Sequence, residues 1–280
     1  MESTSSCRPS TSEWISNFMI LSNFRPKKID NLARYGSRND GGYLIPNDLK
    51  FDLLISFGLG DDWNFEKDLK TKGKISNFIV FDHSVSCSQL SRKVIRSGKK
   101  VLDDPMNFVY RSRILIRYIL TFFGNSHLRY KVVKQAENSG EISALEILET
   151  HTKSIRSCLL KVDIEGGEWQ ILEDIALFEH KIDVLIIEFH NINSHLNDYL
   201  DFKNLIESSF SLIHIHANNF SLIGSNGIPD VLEVTYVKNS LVSATTQRVT
   251  LPIQGLDAPC ASKKPDYFWD FIEGSVYLKK

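Results

Sequence analysis

Cysteine is scarce in this chain: Cys7, Cys87, Cys158 and Cys260 are the four in 280 residues, far apart and without a CxxC or any other metal-type spacing. A chain this long buries its own core, so a disulfide scaffold is not expected, and no metal is predicted. An excess of charge of one sign is also missing. The 33 Lys and Arg against 34 Asp and Glu leave a formal charge of -1, which removes any whole-chain electrostatic argument for nucleic acid or an acidic membrane. Nucleic acid is therefore not expected as a partner. Long apolar runs are absent too: the longest, Ile114 to Phe123, is interrupted by Arg117 and falls short of the ~20 residues of a spanning helix. No transmembrane segment is expected. Met1 to Glu13 are polar and Ser/Thr-rich with no apolar stretch, which argues against a secretory signal and for a poorly ordered start, with a cytoplasmic location as the default.

What is present is a globular composition, 42% hydrophobic and 24% charged, of a size for one large domain or two small ones. Short β-branched runs alternate with helix-length segments, the pattern of βαβ units around a buried parallel sheet. Strands are predicted at Asp52–Phe57, Asn77–Asp82, Cys158–Asp163 and Asp183–Phe189, with a weaker run at Tyr130–Lys134. Ser211–His216 and Val231–Val237 are joined by a loop holding Gly224, Gly227 and Pro229, so they are expected to pair antiparallel. Helices are predicted at Asn64–Thr71, Ser88–Ser97, Pro105–Phe123, Ser143–Thr150, Glu168–Phe178 and Asp198–Ser208, the last from Leu200, Leu205 and Ile206. The expected fold is α/β: a Rossmann-like, mostly parallel sheet with an antiparallel C-terminal hairpin and helices on both faces. Leu251 to Lys264, with Pro252, Gly255 and Pro259 and followed by Pro265, reads as irregular, the first part of a C-terminal strap over 251–280.

Four strand ends carry candidate chemistry. Leu54 to Asp62 is a buried strand running into Gly58 and Gly60; the turn admits a ligand close to backbone, or simply satisfies a positive φ. A dinucleotide fingerprint wants Gly or Ala three residues after Gly60, and Trp63 stands there, against a nicotinamide cofactor. Asp82 ends the next strand where a nucleoside diol would be bound, or caps the following helix. Asp163, Glu165 and Glu168 crowd the end of a third strand around Gly166-Gly167; carboxylates so placed face a cleft or a cation, or favour a helix N-terminus. Glu188 and His190 project to one face of a fourth strand, and His190 is a candidate proton acceptor or a structural histidine.

These residues resemble the FkbM-type methyltransferases, a branch of the class I S-adenosylmethionine-dependent enzymes. The resemblance rests on Asp40-Gly-Gly-Tyr43, on Phe57-Gly-Leu-Gly60 followed by Asn64-Phe-Glu66, on Asp82, and most specifically on Lys161 to Trp169 with Ile187-Glu-Phe-His190. It spans roughly Asp40 to Val237, and it implies a seven-strand sheet with the last strand inserted antiparallel. It also implies methyl transfer from S-adenosylmethionine, commonly to a hydroxyl of a sugar or natural product. By the same resemblance Phe57, Gly58, Gly60, Asp82, His83 and Asp163 form the cofactor side, Asp82 holding the ribose hydroxyls. Asp163, Glu165 and His190 are the catalytic candidates. A divalent metal at the Asp163 cluster is conceivable from its acids, but no spacing establishes one.

The expected boundaries are an N-terminal extension over 1–39, the methyltransferase domain over 40–250 and the strap. Within the domain, residues 84–134 form a basic insertion. Arg92 to Lys134 hold 11 Lys and Arg against Asp103 and Asp104, a local +9, so the remainder carries -10. With Tyr110, Ile114, Leu115, Tyr118 and Phe122 interleaved, the insertion is expected to be a lid over a phosphate-bearing acceptor. A helix with a solvated basic face, or a peripheral contact with anionic lipid, are its other readings. A non-catalytic module binding a glycan, lipid or protein through this segment is the alternative function.

Overall fold

The computed structural model describes residues 19–122 and 127–278. Thirteen strands are numbered in chain order: β1 Leu32–Gly36, β2 Gly42–Pro46, β3 Phe51–Phe57, β4 Ile75–Phe81, β5 His127–Leu128, β6 Lys131–Val133, β7 Glu141–Ser143, β8 Cys158–Val162, β9 Val184–His190, β10 Phe210–Ala217, β11 Val231–Lys238, β12 Tyr267–Asp270 and β13 Ser275–Leu278. Six helices are α1 Asn64–Thr71, α2 Cys87–Gly98, α3 Pro105–Phe122, α4 Ala144–Thr152, α5 Glu168–Leu177 and α6 Leu196–Ile206. Phe123, the last residue of the helix predicted at Pro105–Phe123, lies outside the described residues, as do Met1 to Glu13 and Cys7.

Seven strands form one sheet in the order β10-β11-β9-β8-β3-β4-β5. β3 pairs parallel with both β4 and β8, and β8 pairs parallel with β9, while β11 runs antiparallel between β9 and β10. The expected mostly parallel sheet with an antiparallel C-terminal pair is the observed one. Side-chain alternation buries both faces: Ile55, Phe57, Leu160, Val162, Leu185 and Ile187 point to one core, Leu54, Leu159, Val184 and Ile186 to the other. The first core is closed by α4, α5 and α6, the second by α1 and the β1–β2 hairpin. Each such aliphatic side chain contributes about 1.5–3 kcal/mol on full burial, which is why these strands read as unbroken apolar runs. A third, smaller core gathers Leu59, Trp63, Val80, Leu90, Ile114 and Phe122 beneath α2 and α3.

Several expectations need correction. The Tyr130–Lys134 run does not enter the main sheet; β6 pairs with β7 in a separate ribbon, and the sheet's edge is the two-residue β5, too short to leave a periodic signal. Leu205 is 57% exposed, because the inward face of α6 is set by Tyr199, Phe202 and Ile206 at helical spacing and Leu205 falls off that stripe. The β1–β2 hairpin, in register from Leu32↔Pro46 to Gly36↔Gly42, spans the expected boundary at residues 39 and 40. The strap carries the hairpin β12–β13 after its irregular stretch. Among the described residues no helix is long and apolar enough to cross a membrane.

Candidate active site

At the carboxyl end of the sheet the chain leaves β3 through Gly58, at φ +85, and Gly60, at φ +61. The two glycines are needed for different reasons. A Cβ on Gly58 would lie 1.7 Å from the Asp163 carbonyl oxygen, so this residue lets the loops after β3 and β8 touch. A Cβ on Gly60 would meet nothing within 4 Å, so the second glycine borders open space. That space is a cavity of about 360 Å³ lined by Gly58, Gly60, Asp82, His83, Val132, Val133 and Asp163 among others, a volume in the range of small-molecule sites.

Asp82 binds the loop that faces it. One carboxylate oxygen accepts from the backbone N–H groups of Leu59 (2.8 Å) and Gly60 (3.2 Å), the other from the Ser84 N–H (2.6 Å) and hydroxyl (2.7 Å). Burial opposes its charge, but these donors prevail and hold the carboxyl below its ordinary range. The acid therefore pre-shapes the glycine turn as well as bordering the cavity.

A second cavity, of about 520 Å³, adjoins the first across Leu59, Gly60, Asp163 and Glu165. Seven carboxylates line it, Asp40, Asp61, Asp62, Glu66, Asp163, Glu165 and Glu188, against Lys161 and His190. Lys161 is buried on β8 and its Nζ lies 3.2 Å from Asp163 Oδ2. Burial works against its charge, yet Asp163 and Glu66 push its pKa up. The Tyr43 hydroxyl donates to the same Asp163 oxygen at 3.4 Å, so the Asp40-Gly-Gly-Tyr43 turn closes this end of the site.

His190 sits among three acids: Nδ1 is 3.0 Å from Glu168 Oε1, and Nε2 is 3.6 Å from Glu165 and 3.9 Å from Glu188. Burial alone would lower its pKa, but the Glu168 bond and the surrounding carboxylates raise it to about 9. A pKa so raised favours the charged imidazole near neutral pH. Asp163, Glu165 and His190 also converge closely enough for a metal. Glu168 Oε1 additionally accepts from the N–H groups of Ile164 and Gly166. Backbone strain collects here, with the non-glycine residues Glu165 at φ 54 and Asn191 at φ 55.

Of the expected cofactor-side residues, Gly58, Gly60, Asp82, His83 and Asp163 line the first cavity, whereas Phe57 is fully buried and packs edge-on against Phe81. Phe57 is a core residue, because it is the last inward position of β3. The three catalytic candidates share the second cavity. The basic insertion adds Ser84 and Tyr130 to Val133, with Lys131 its one cation there, to the first cavity and no residue to the second; Lys93 and Arg111 pair with Asp61, and Arg117 donates to Asn64 and lies over the Trp63 ring. Trp63, where a dinucleotide site wants a small residue, is the anchor against which Tyr118 and Phe122 of α3 pack edge-on. Sequence reasoning quoted Lys161 and Glu66 as motif residues without giving them a place in the site; the one cation inside the apolar run Cys158 to Val162 was the available signal.

No family model matches the chain, and no curated protein matches it. Among solved structures it is similar to an rRNA methylase from Streptococcus thermophilus, with 12% identity over 79% of this chain and 93% of that one and a TM-score of 0.35. It is similar to the fibrillarin pre-rRNA processing protein of Methanococcus jannaschii (8% identity, 80% and 76% covered, TM-score 0.33) and to spermidine synthase from Thermotoga maritima (7%, 76% and 71%, 0.36). At these values the likeness is one of fold and says nothing of substrate. Two of the three are named for RNA; the expectation that nucleic acid is no partner rested on net charge alone and is withdrawn. Net charge sums over a surface and leaves local patches undetermined.

Proposed function

We propose that the chain is an S-adenosylmethionine-dependent O-methyltransferase of the FkbM type, acting on a neutral, hydroxyl-rich acceptor such as a sugar. The observation that carries this reading is the meeting of two cavities at Asp163, one bounded by a glycine turn and a strand-end acid, the other polar and acidic. The first suits the cofactor: Gly60 leaves room against backbone, Asp82 offers a carboxylate beside it, and Val132 and Val133 give an apolar wall for a flat base. When bound there, S-adenosylmethionine supplies an electrophilic methyl group.

The protein's part is placement and proton handling. Gly58 and Asp82 fix the turn, so the reacting partners are aligned before reaction, a contribution that grows with the precision of the alignment. Asp163, tethered by Lys161 and Tyr43, stands where the two cavities join and is positioned to take the acceptor's hydroxyl proton. His190, as a cation, orients the acceptor and offsets some of the surrounding negative charge. The preponderance of carboxylates favours hydroxyl donors over anionic groups.

Calorimetric titration with S-adenosylmethionine and S-adenosylhomocysteine tests the assignment. Micromolar binding is expected, weakened about 10–100-fold in Asp82→Ala, the loss of hydrogen bonds to a charged group. Asp163→Asn is expected to keep cofactor affinity within a few fold while lowering turnover about 10²–10⁴-fold. Silence with both compounds would end the methyltransferase reading.

A further inference from the structure

Behind the acidic cavity, the antiparallel edge of the sheet holds a second group of ligating side chains. His216 on β10 and Glu233 on β11 are direct cross-strand partners, and Cys260 comes to them from the strap. All three are at most 5% exposed. His216 Nδ1 lies 3.0 Å from Glu233 Oε2 and 3.8 Å from Cys260 Sγ, and Cys260 Sγ lies 3.5 Å from Glu233 Oε1. A tetrahedral zinc ion, with bonds of about 2.0–2.3 Å, sets its nitrogen and oxygen ligands about 3.3 Å apart and each of them about 3.5 Å from sulfur. One ligand atom from each residue lies within 4.8 Å of the others, close enough for all three to reach one ion.

Two further observations point the same way. His216 Nε2 is held by both oxygens of Asp266, at 3.1 and 3.2 Å, while Nδ1 faces Glu233 and Cys260. A carboxylate behind the far nitrogen is the usual support of a metal-ligating histidine. The charges also need an answer, since Glu233 and Asp266 are buried against a single imidazole, and a dication between the thiolate and Glu233 neutralises both ligands.

We propose that His216, Glu233 and Cys260 form a zinc site that fastens the C-terminal strap to the sheet. The Asp40 carboxylate lies within 4.8 Å of that of Glu233, and its neighbour Asn39 already donates to the Pro259 carbonyl at 2.7 Å, so the turn and the strap meet beside Cys260. Softness of the thiolate together with imidazole selects zinc over magnesium or calcium. The site is structural, its three ligands buried at the seam of sheet and strap. It braces the acceptor side, because Asn218, just past β10, and Val231, on β11, line the acidic cavity.

The test uses the full chain produced without a polyhistidine tag in zinc-supplemented medium. Mass spectrometric metal analysis is expected to give about one zinc per chain. A strong chelator should lower Tm and added zinc restore it. Loading with cobalt(II) should give a thiolate-to-cobalt charge-transfer band that Cys260→Ser abolishes and Cys87→Ser, an exposed control, retains. Asp266→Asn keeps all the ligands, so it reads the site even where Cys260→Ser does not fold, and its zinc affinity should fall about 10–100-fold. Zinc below a tenth per chain, a Tm indifferent to chelator, or a cobalt spectrum without the thiolate band would overturn the site.

Discussion

Along β3 and β8 the only buried polar side chains are Ser56 and Lys161, whereas β10 and β11 bury Ser211, His214, His216, Glu233 and Thr235. The parallel half of the sheet is sealed by apolar helices that need no partner in particular. One face of the antiparallel edge is covered by α6, and the other meets the strap, which supplies specific acceptors: Asp257 for His214 and Asp266 for His216. One half is held by area, and the other by matched polar groups whose loss leaves a buried orphan. The two proposed subsites divide the same way, with the glycine turn of the first cavity at the end of the apolar strands and part of the wall of the acidic one, Asn218 and Val231, at the polar edge.

The largest effect expected from this contrast lies at the two glycines of the turn. Gly58→Val drives a side chain into the Asp163 carbonyl at a φ of +85 and should cost at least ~4 kcal/mol of stability, or prevent folding. Gly60→Ala pays only for its positive φ, about 1–2 kcal/mol, and should mainly weaken cofactor binding. Urea unfolding of both variants separates them, and equal tolerance at the two positions would mean that the loops after β3 and β8 do not meet as described.

Next in size is Glu168, whose Oε1 holds two backbone N–H groups and His190. Glu168→Gln should destabilise by about 2–4 kcal/mol, the cost of leaving a buried charge network unpaired. It should also lower the His190 pKa, read by NMR titration of the ring. The sign of the wild-type pH dependence follows from that pKa. Raised from 6.5 to about 9 in the folded chain, His190 contributes stability that is complete below pH 6.5 and is lost as pH rises through 9. His190→Gln should flatten stability over that window; an unchanged slope would show that the imidazole is not held by the acids.

The contrast also explains what could be read from residues alone. The parallel strands announce themselves as apolar runs, and Gly58, Gly60, Asp82 and Asp163 stand where those runs stop, so one cavity was legible from neighbours in sequence. His216, Glu233 and Cys260 are separated by 17 and 27 residues and come together only through the β10–β11 register and the path of the strap. No local spacing encodes them, and the scattered cysteines told against a metal for the same reason. Phe57 was misplaced because position beside a glycine says nothing of which face a strand residue takes. The basic insertion misled in the opposite way: its charge was plain, but which carboxylates it meets depends on how α2 and α3 fold back on the Asp61 loop.

That insertion supplies the smallest expected effect. Lys93 and Arg111 both reach Asp61, at 2.8 and 3.1 Å, with side chains 43% and 32% exposed. Exposed ion pairs of this kind contribute about 0–1 kcal/mol and weaken with salt. Lys93→Ala with Arg111→Ala should therefore lower stability by under ~2 kcal/mol together, and leave the Michaelis constant for an acceptor within about twofold, since neither cation lines the acidic cavity and a rim charge acts mainly through long-range attraction. Arg117→Ala should cost somewhat more, because it also removes the guanidinium lying 5.5 Å from the Trp63 ring centre. A many-fold rise in the acceptor's Michaelis constant in the double variant, abolished at high salt, would place the basic helices over the acceptor after all and move the boundary between the two halves of the site from the Asp61 loop to α3.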